Sequence, residues 1–393
     1  MKRPLLIILG IITVLILLGV WVYVLLNGTP SNGGMFNDFD FGDTTDPNVQ
    51  QPAPQDTEPT VNLTSPDALR QLTTSPVAGF TEVRENASST PRVQYVEAGT
   101  GHIFTIDLET GEEKRVSATT IGQTTRAAIT PDGAHVMLQA GVGQATEFII
   151  GTLATTSDEL RNFALSDEVS AFAASGDNEF LYLSPDGNGT LAKAYNPKNN
   201  RTRVLFTIPF REVAIDWNQT AAGPHLVYPK AANRLEGFIF SYTNGVMTRL
   251  PISGFGLSAV GSNSTVLSSE FLNTGDYVTQ SLTYTDQTAT PLPISIIPEK
   301  CAFSPTQTDF AICGASFTEY TNWQMPDDWY RGQLVTDDAL WEVSRGTMSL
   351  LNNMSTDLQR AIDLTQPTFS SSSERYYFQN KIDQTLWVYD FTI

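Results

Sequence analysis

The sequence predicts an all-β protein: a seven-bladed β-propeller that follows one N-terminal transmembrane helix and a disordered linker. Three observations lead to this prediction. A strand pattern recurs at a nearly constant interval, an uncharged apolar run lies near the N-terminus, and the stretch between them is polar and acidic. We therefore expect a cytoplasmic tip at 1–4, a transmembrane helix at 5–26, a linker at 27–66 and a propeller at 67–393.

The apolar run at 5–26 contains 22 residues without a charge. At helical rise it is about 33 Å long, enough to cross the hydrocarbon core of a bilayer. Lys2 and Arg3 precede it, and the next basic residue is Arg70. The positive-inside rule then predicts a single-pass protein of the cell membrane, with a cytoplasmic N-terminus and an extracytoplasmic propeller. The lipid bilayer is thus an expected partner of 5–26.

A cleaved signal peptide is the alternative for this run. Signal peptides have a shorter apolar region that ends in a small-residue cleavage site. The end of this run, Val24-Leu25-Leu26-Asn27, offers no such site. We therefore expect an anchor that is not cleaved.

The linker at 27–66 is rich in Gly, Pro, Asn, Thr and Asp. It has few apolar residues, chiefly Met35, Phe36, Phe39 and Phe41. Such a segment buries too little apolar surface to offset the entropy of ordering it, so we expect a flexible acidic tether.

The propeller prediction depends on seven copies of one strand pattern, at 102–107, 148–153, 191–195, 236–241, 279–284, 340–344 and 386–390. Their starting positions differ by 46, 43, 45, 43, 61 and 46 residues. This period is close to that of a four-stranded propeller blade. Seven copies imply seven blades, with six or eight as the alternatives.

A closure of the ring is also expected. The last copy ends near Ile393, directly after its third strand, so its outer strand is missing. The segment 69–72 resembles 160–163, which lies two periods downstream. We therefore expect residues 69–73 to complete the last blade, which would leave no open sheet edge in the ring.

The turn Thr130-Pro-Asp-Gly133 and the strands Ile-Phe-Thr-Ile-Asp107 and Leu-Trp-Val-Tyr-Asp390 resemble repeats of TolB-type, WD40-like propellers. The order of anchor, linker and propeller is similar to that of bacterial single-pass propeller proteins. The resemblance covers 67–393, although one repeat alone keeps Pro-Asp-Gly at that turn and the Gly-His and Trp-Asp pairs of WD40 repeats are absent. It implies a fold and a tendency to bind partners, and it implies no reaction.

Charge and motifs exclude several function classes. The chain has 23 Lys and Arg against 42 Asp and Glu, a net charge of −19, which argues against a nucleic-acid partner. The three histidines, His102, His135 and His225, lie in different repeats, so we predict no metal site. No Gly-x-Ser-x-Gly elbow or phosphate loop occurs. We therefore predict no catalytic residues and no cofactor, and a protein that is not an enzyme.

Cys301 and Cys313 are the two cysteines of the chain. They flank the turn at 304–309 and are equally far from Gln307, so they should face each other across neighbouring antiparallel strands. Such pairs have Cβ atoms about 4.5–5.5 Å apart, and local twist brings them within disulfide distance. An extracytoplasmic location favours a disulfide, and two reduced buried thiols are the alternative.

The longest interval between copies of the strand pattern, 61 residues, contains an insertion at about 318–338. The insertion lies between the second and third strands of its repeat. It contains Trp323, Asp327, Asp328, Trp329 and Tyr330. In a propeller this connection shares a face with the loops that join blades, near the mouth of the channel. Aromatic rings beside carboxylates suit a sugar or a cationic peptide. The alternative is that the two tryptophans pack on the blade and hold the loop.

The equivalent connections of neighbouring repeats add Lys230, Arg234, Asp276 and Asp383 to the expected ligand-binding residues. The sequence thus predicts a binding or scaffolding module for a protein or glycan partner outside the membrane. One alternative is a carboxylate-dependent hydrolase or lyase that acts on polysaccharide or peptidoglycan. Another is a structural subunit whose transmembrane helix pairs with a second helix.

Overall fold

The computed structural model describes residues 68–391 except 84–89, 155–157, 218–222, 285–286 and 308. The predicted tip, transmembrane helix and linker lie outside the described residues. None of the helices in the described part has the length and hydropathy of a transmembrane span.

The described residues form 27 β-strands in six antiparallel sheets, five of four strands and one of seven. The first sheet contains β2 (Val77–Val83), β3 (Arg92–Glu97), β4 (Ile103–Asp107) and β5 (Glu113–Ser117). The second contains β6 (Thr124–Ile129), β7 (His135–Ala140), β8 (Glu147–Leu153) and β9 (Leu160–Ala164). The third contains β10 (Ala171–Ala174), β11 (Phe180–Asp186), β12 (Gly189–Asn196) and β13 (Arg201–Ile208).

The seven-stranded sheet consists of two meanders that share one long strand. Its members are β14 (Val213–Asp216), β15 (His225–Pro229), β16 (Glu236–Thr243), β17 (Val246–Gly261), β18 (Thr265–Phe271), β19 (Tyr277–Thr283) and β20 (Ala289–Pro291). The first part of β17 pairs with β16 and its second part with β18, and Phe255 faces a partner on both sides. One strand thus ends one meander and begins the next.

The last two sheets complete the chain. One contains β21 (Cys301–Phe303), β22 (Phe310–Ser316), β23 (Asp338–Ser344) and β24 (Thr347–Asn352). The other contains β25 (Leu364–Phe369), β26 (Arg375–Asn380), β27 (Leu386–Asp390) and, from the start of the described chain, β1 (Leu69–Gln71). Short helices lie at Gly143–Ala145, Pro298–Lys300, Asp327–Tyr330 and Met354–Leu358.

The predicted closure is confirmed, because β1 pairs antiparallel with β27. Leu69 lies opposite Tyr389, and Gln71 lies opposite Trp387. The strand is two residues shorter than expected, and beyond it the backbone amide of Leu72 still donates to the Leu386 carbonyl at 2.8 Å. Each of the seven recurring sequence patterns forms the third strand of a meander.

Buried positions alternate along the strands, and small residues let neighbouring sheets approach each other closely. Along β12, Thr190, Ala192 and Ala194 are buried while the residues between them are partly exposed, which is the two-residue period of a strand. The first strands of the meanders carry small residues where they come closest. A Cβ atom on Gly79 would lie 2.0 Å from the Ala127 carbonyl oxygen, so β2 and β6 need a glycine at this contact.

The core consists of apolar clusters at the junctions between successive meanders. Seven such clusters lie in the described residues. One of them joins Val77 and Tyr95 of the first sheet to Tyr377 and Val388 of the last. Antiparallel meanders that pack face to face in chain order, with the first strand added to the last sheet, are the architecture of a β-propeller. The all-β propeller fold predicted from the sequence is therefore confirmed.

Candidate functional site

The insertion forms the connection between β22 and β23, as the sequence predicts, and it contains the helix Asp327–Tyr330. Lys230 and Arg234 lie between β15 and β16, Asp276 between β18 and β19, and Asp383 between β26 and β27. In an antiparallel meander, second-to-third connections lie at the same end as the loops that lead to the next meander. We call this the upper end of the propeller.

Trp329 anchors the insertion and is 5% exposed. Its Nε1 donates to Asp363 Oδ1 at 2.9 Å. Lys381 Nζ lies 3.9 Å from the centre of its ring and also donates to the Trp329 carbonyl oxygen. Trp329 therefore holds the loop, and the ligand-binding role expected for it does not fit its position.

A buried ionic network lies beneath Trp329. Lys300 Nζ lies 2.6 Å from Asp338 Oδ2 and 2.7 Å from Asp363 Oδ1, and it also donates to Thr336 Oγ1. Burial raises the pKa of Asp338, and the Lys300 charge opposes this rise. The network joins the segment before β21, the end of the insertion and the segment before β25. Sequence reasoning missed it because the three charges are far apart in the chain.

Asp327 and Asp328 also have structural contacts. Asp327 Oδ2 accepts from the Asn233 amide at 3.1 Å, which joins the insertion to the β15–β16 loop. Asp328 is buried, and its Oδ2 accepts from the Gln324 amide at 2.8 Å. Both carboxylates therefore shape the insertion.

Three aromatic side chains on and beside the insertion remain open to solvent. Phe317 is 57% exposed, Trp323 is 37% exposed and Tyr330 is 41% exposed. The Tyr330 hydroxyl donates to the carboxyl of Glu299, which also accepts from Ser258 Oγ at 3.3 Å. We call Phe317, Trp323, Tyr330 and Glu299 the insertion surface.

Glu299 and Asp216 are two partly exposed carboxyl groups that sequence reasoning did not single out. Burial raises the pKa of Glu299. Burial, with a further contribution from the Glu299 charge, raises the pKa of Asp216 to about 7. Asp216 Oδ2 accepts from the Gly261 amide at 2.8 Å, at the opposite end of the meanders from the insertion. Neither carboxyl forms an ion pair with a residue that the structure describes.

The other predicted site residues are spread along the upper end. Lys230 and Arg234 are exposed. Asp276 accepts from Thr274 Oγ1 at 2.8 Å, and Asp383 accepts from Thr385 Oγ1 at 2.7 Å and from Arg360. Among the described residues, Asp276 lines a groove together with Phe317 and Glu319, and neither Trp323 nor Tyr330 is part of that groove.

Cys301 and Cys313 lie directly opposite each other on β21 and β22. A disulfide joins their Sγ atoms, which are 2.04 Å apart. Among the described residues, no three His, Cys, Asp or Glu side chains come together in a way that could hold a metal ion.

No family model matches the chain, and no curated protein is similar to it. Among solved structures, the chain is similar to the β-propeller domain of the trilobed protease from Pyrococcus furiosus, with a TM-score of 0.49 and 10% identity over 81% of this chain and 95% of that one. It is also similar to TolB from Acinetobacter baumannii, with a TM-score of 0.41 and 10% identity over 65% of this chain and 61% of that one.

Proposed function

We propose that this propeller is a binding and scaffolding module whose partner contacts the insertion surface. The observation that supports the proposal is an exposed aromatic group fixed by a buried ionic anchor. Trp329, Lys300 and Asp363 hold the insertion from below, while Trp323 and Tyr330 stay open above. A surface held rigid in advance loses less entropy on binding, and aromatic side chains supply much of the energy of interfaces.

We further propose seven blades. Two observations support this count. The long strand β17 serves two meanders, so the seven-stranded sheet is equivalent to two four-stranded blades. The number of apolar clusters between meanders in the described residues is also seven.

Replacing Trp323 with alanine should weaken partner binding at least tenfold, because truncation of an aromatic anchor costs about 2 kcal/mol or more. Phe163→Ala is the matched control, since Phe163 is an exposed aromatic residue on the outer strand β9. A photo-reactive amino acid at position 317 of the full chain, cross-linked in intact envelopes, would identify the partner by mass spectrometry. The binding of that partner, or of a glycan found on an array, is then measured with both variants.

Equal binding by the two variants, or no cross-linked partner and no bound glycan, would contradict the proposal. The alternative function is a hydrolase or lyase, and the raised pKa of Glu299 and Asp216 favours it. The same protein incubated with peptidoglycan distinguishes the two. A binding module releases no reducing ends, whereas release that Glu299→Gln abolishes would establish an enzyme.

We also propose that residues 5–26 anchor the chain in the cell membrane and that the propeller lies outside the cytoplasm. The uncharged run, the two basic residues before it and the Cys301–Cys313 disulfide support this location.

In cells quenched with acid, Cys301 and Cys313 should therefore react with an alkylating agent only after a reductant is added. The reason is that cytoplasmic thiols are kept reduced, whereas disulfides persist outside the cytoplasm. Mass spectrometry of the peptide that contains Cys313 measures the labelled fraction. Full labelling without the reductant would place the propeller in a reducing compartment.

A further inference from the structure

A groove of about 310 Å³ lies at the upper end, beside the insertion surface. Its walls come from 276–278 and 293–295 on one side and from 316–321 on the other. Val278, Ile294 and Pro293 supply an apolar wall. Two strands lead directly into the groove, because β19 begins and β22 ends among its lining residues.

The charged groups of the groove are both acidic. Asp276 and Glu319 are exposed, and the described residues that line the groove include no lysine or arginine. Asp276 is held by the Thr274 hydroxyl. Glu319 has neither a hydrogen bond nor an ion pair from its side chain within the part of the chain that the structure describes. The groove thus presents one fixed and one uncommitted carboxylate.

An exposed aromatic ring borders the same groove. Phe317 packs against Trp341, with ring centres 5.2 Å apart, and leaves more than half of its surface open. Trp341 is itself fixed, because its Nε1 donates to the Ala315 carbonyl at 3.1 Å. Phe317 is therefore a positioned ring with a free face.

Two buried tyrosines support the groove wall from inside. Tyr277 and Tyr320 are 3% and 4% exposed, and their rings pack edge to face with centres 6.0 Å apart. Both belong to the apolar cluster that contains Met325 and Trp329. The wall is therefore backed by packed side chains of the insertion.

We propose that this groove binds an arginine side chain from a basic segment of the protein partner. The inference rests on the proposed binding function and names the chemistry of one contact. An arginine has an apolar stem, which matches Val278 and Ile294, and a planar guanidinium, which stacks on aromatic faces such as that of Phe317. Glu319 accepts the two parallel hydrogen bonds that a guanidinium donates to a carboxylate.

Charge decides between this occupant and a sugar. A neutral ligand that covers Asp276 and Glu319 removes water from both carboxylates and leaves their charges uncompensated. A guanidinium compensates that cost. Arginine is favoured over lysine because its planar group both stacks and forms paired hydrogen bonds.

The test uses the full chain in mild detergent and two short blocked peptides that carry a neutral dye. One peptide contains a single arginine among glycine and serine, and the other contains citrulline, which has nearly the same shape without the charge. Fluorescence anisotropy should show at least tenfold tighter binding of the arginine peptide, and its Kd should rise with ionic strength.

Glu319→Gln should reduce the affinity for the arginine peptide to that for the citrulline peptide, and Phe317→Ala should reduce it severalfold. Glu112→Gln is the matched control, since it removes the same charge from an exposed turn between β4 and β5. Circular dichroism checks that the variants are folded.

Equal affinity for both peptides would overturn the proposal, as would an equal loss in Glu319→Gln and Glu112→Gln, which indicates general charge attraction. An oligosaccharide that displaces the peptide and binds Glu319→Gln undiminished would assign the groove to a sugar instead. The proposed function is tested separately at Trp323. A partner lost in Trp323→Ala but bound normally by Glu319→Gln would contradict the groove alone.

Discussion

Replacing Lys300 with methionine is expected to lower the free energy of unfolding by about 3–5 kcal/mol, because it leaves buried carboxylates without their cation. Lys300, Asp338 and Asp363 are all essentially inaccessible to solvent. The substitution removes the ammonium group that lies 2.6 Å from Asp338 Oδ2 and 2.7 Å from Asp363 Oδ1, and it puts an apolar side chain in place of the charge. Either they remain ionised in a poorly solvated site or they take up protons, and both outcomes cost stability.

Urea denaturation of the full chain in mild detergent, followed by tryptophan fluorescence, measures this loss. Lys300 Nζ also lies 5.1 Å from the centre of the Trp329 ring, so the native fluorescence should change as well. Lys198→Met is the control. Lys198 is exposed and 3.6 Å from Asp132, and such surface pairs contribute about 1 kcal/mol or less.

A second set of variants separates loss of charge from loss of packing. Combining Lys300→Met with Asp338→Asn and Asp363→Asn should recover part of the stability, since no unpaired charge is then buried. If Lys300→Met and Lys198→Met cost equally little, the network does not hold the upper end together. Because the network holds the insertion in place, Lys300→Met should also weaken binding of the partner at Trp323.

Replacing Asp216 with asparagine is expected to make the protein more stable at pH 8 and to leave its stability nearly unchanged at pH 4. Burial raises the pKa of Asp216 to about 7 in the folded chain, whereas an unfolded aspartate has a pKa of about 3.9. At a pH between these two pKa values, Asp216 keeps its proton in the folded chain and has lost it in the unfolded chain. Stability must therefore fall as the pH rises from about 4 to about 7, and level off above that.

The asparagine removes this dependence and keeps an oxygen that accepts the Gly261 amide. A difference of one in pKa corresponds to about 1.4 kcal/mol, so the free energy of unfolding at pH 8 should rise by at most a few kcal/mol. Solvent screening at this partly exposed group makes the gain smaller. Unfolding curves of the full chain from pH 4 to pH 8 measure it. Asp177→Asn, at an exposed turn, is the control.

Parallel pH profiles for the wild-type chain and Asp216→Asn would show that this carboxyl ionises as freely in the folded state as in the unfolded one. Glu299→Gln should then be compared, since the Glu299 charge contributes to the raised pKa of Asp216. We expect Glu299→Gln to lower that pKa and to shift the falling part of the profile to lower pH.

The fold could be predicted because its evidence is local and repeated. The third strand of every meander has the same alternation, and β1 has the pattern of the outer strands. Cys301 and Cys313 could be placed opposite each other because a hairpin turn fixes the register of the two strands beside it. The shared strand β17 could not be predicted in this way, since its 16 residues read as two ordinary strands until their partners are known.

The site could be predicted only in part. The composition of the insertion singled out Trp323 and Tyr330 as ligand-binding residues, and both are exposed. It also included Trp329 and Asp328, which are buried because Asp363 and the Gln324 amide lie beside them in the folded chain. Residue type gives the chemistry that a side chain can perform, but not whether another part of the chain already uses it.

Periodicity and chain order were therefore enough to predict the repeat, the closure of the ring by a strand near residue 69 and the end of the propeller at which the insertion lies. Which groups are free to bind depends on contacts that form only in the folded chain. Lys300, Asp338 and Asp363 are distant in the chain and meet because successive sheets pack together. Glu319 stays uncommitted, while Asp328 does not, for the same physical reason: a polar group removed from water must find a partner, and an exposed one need not.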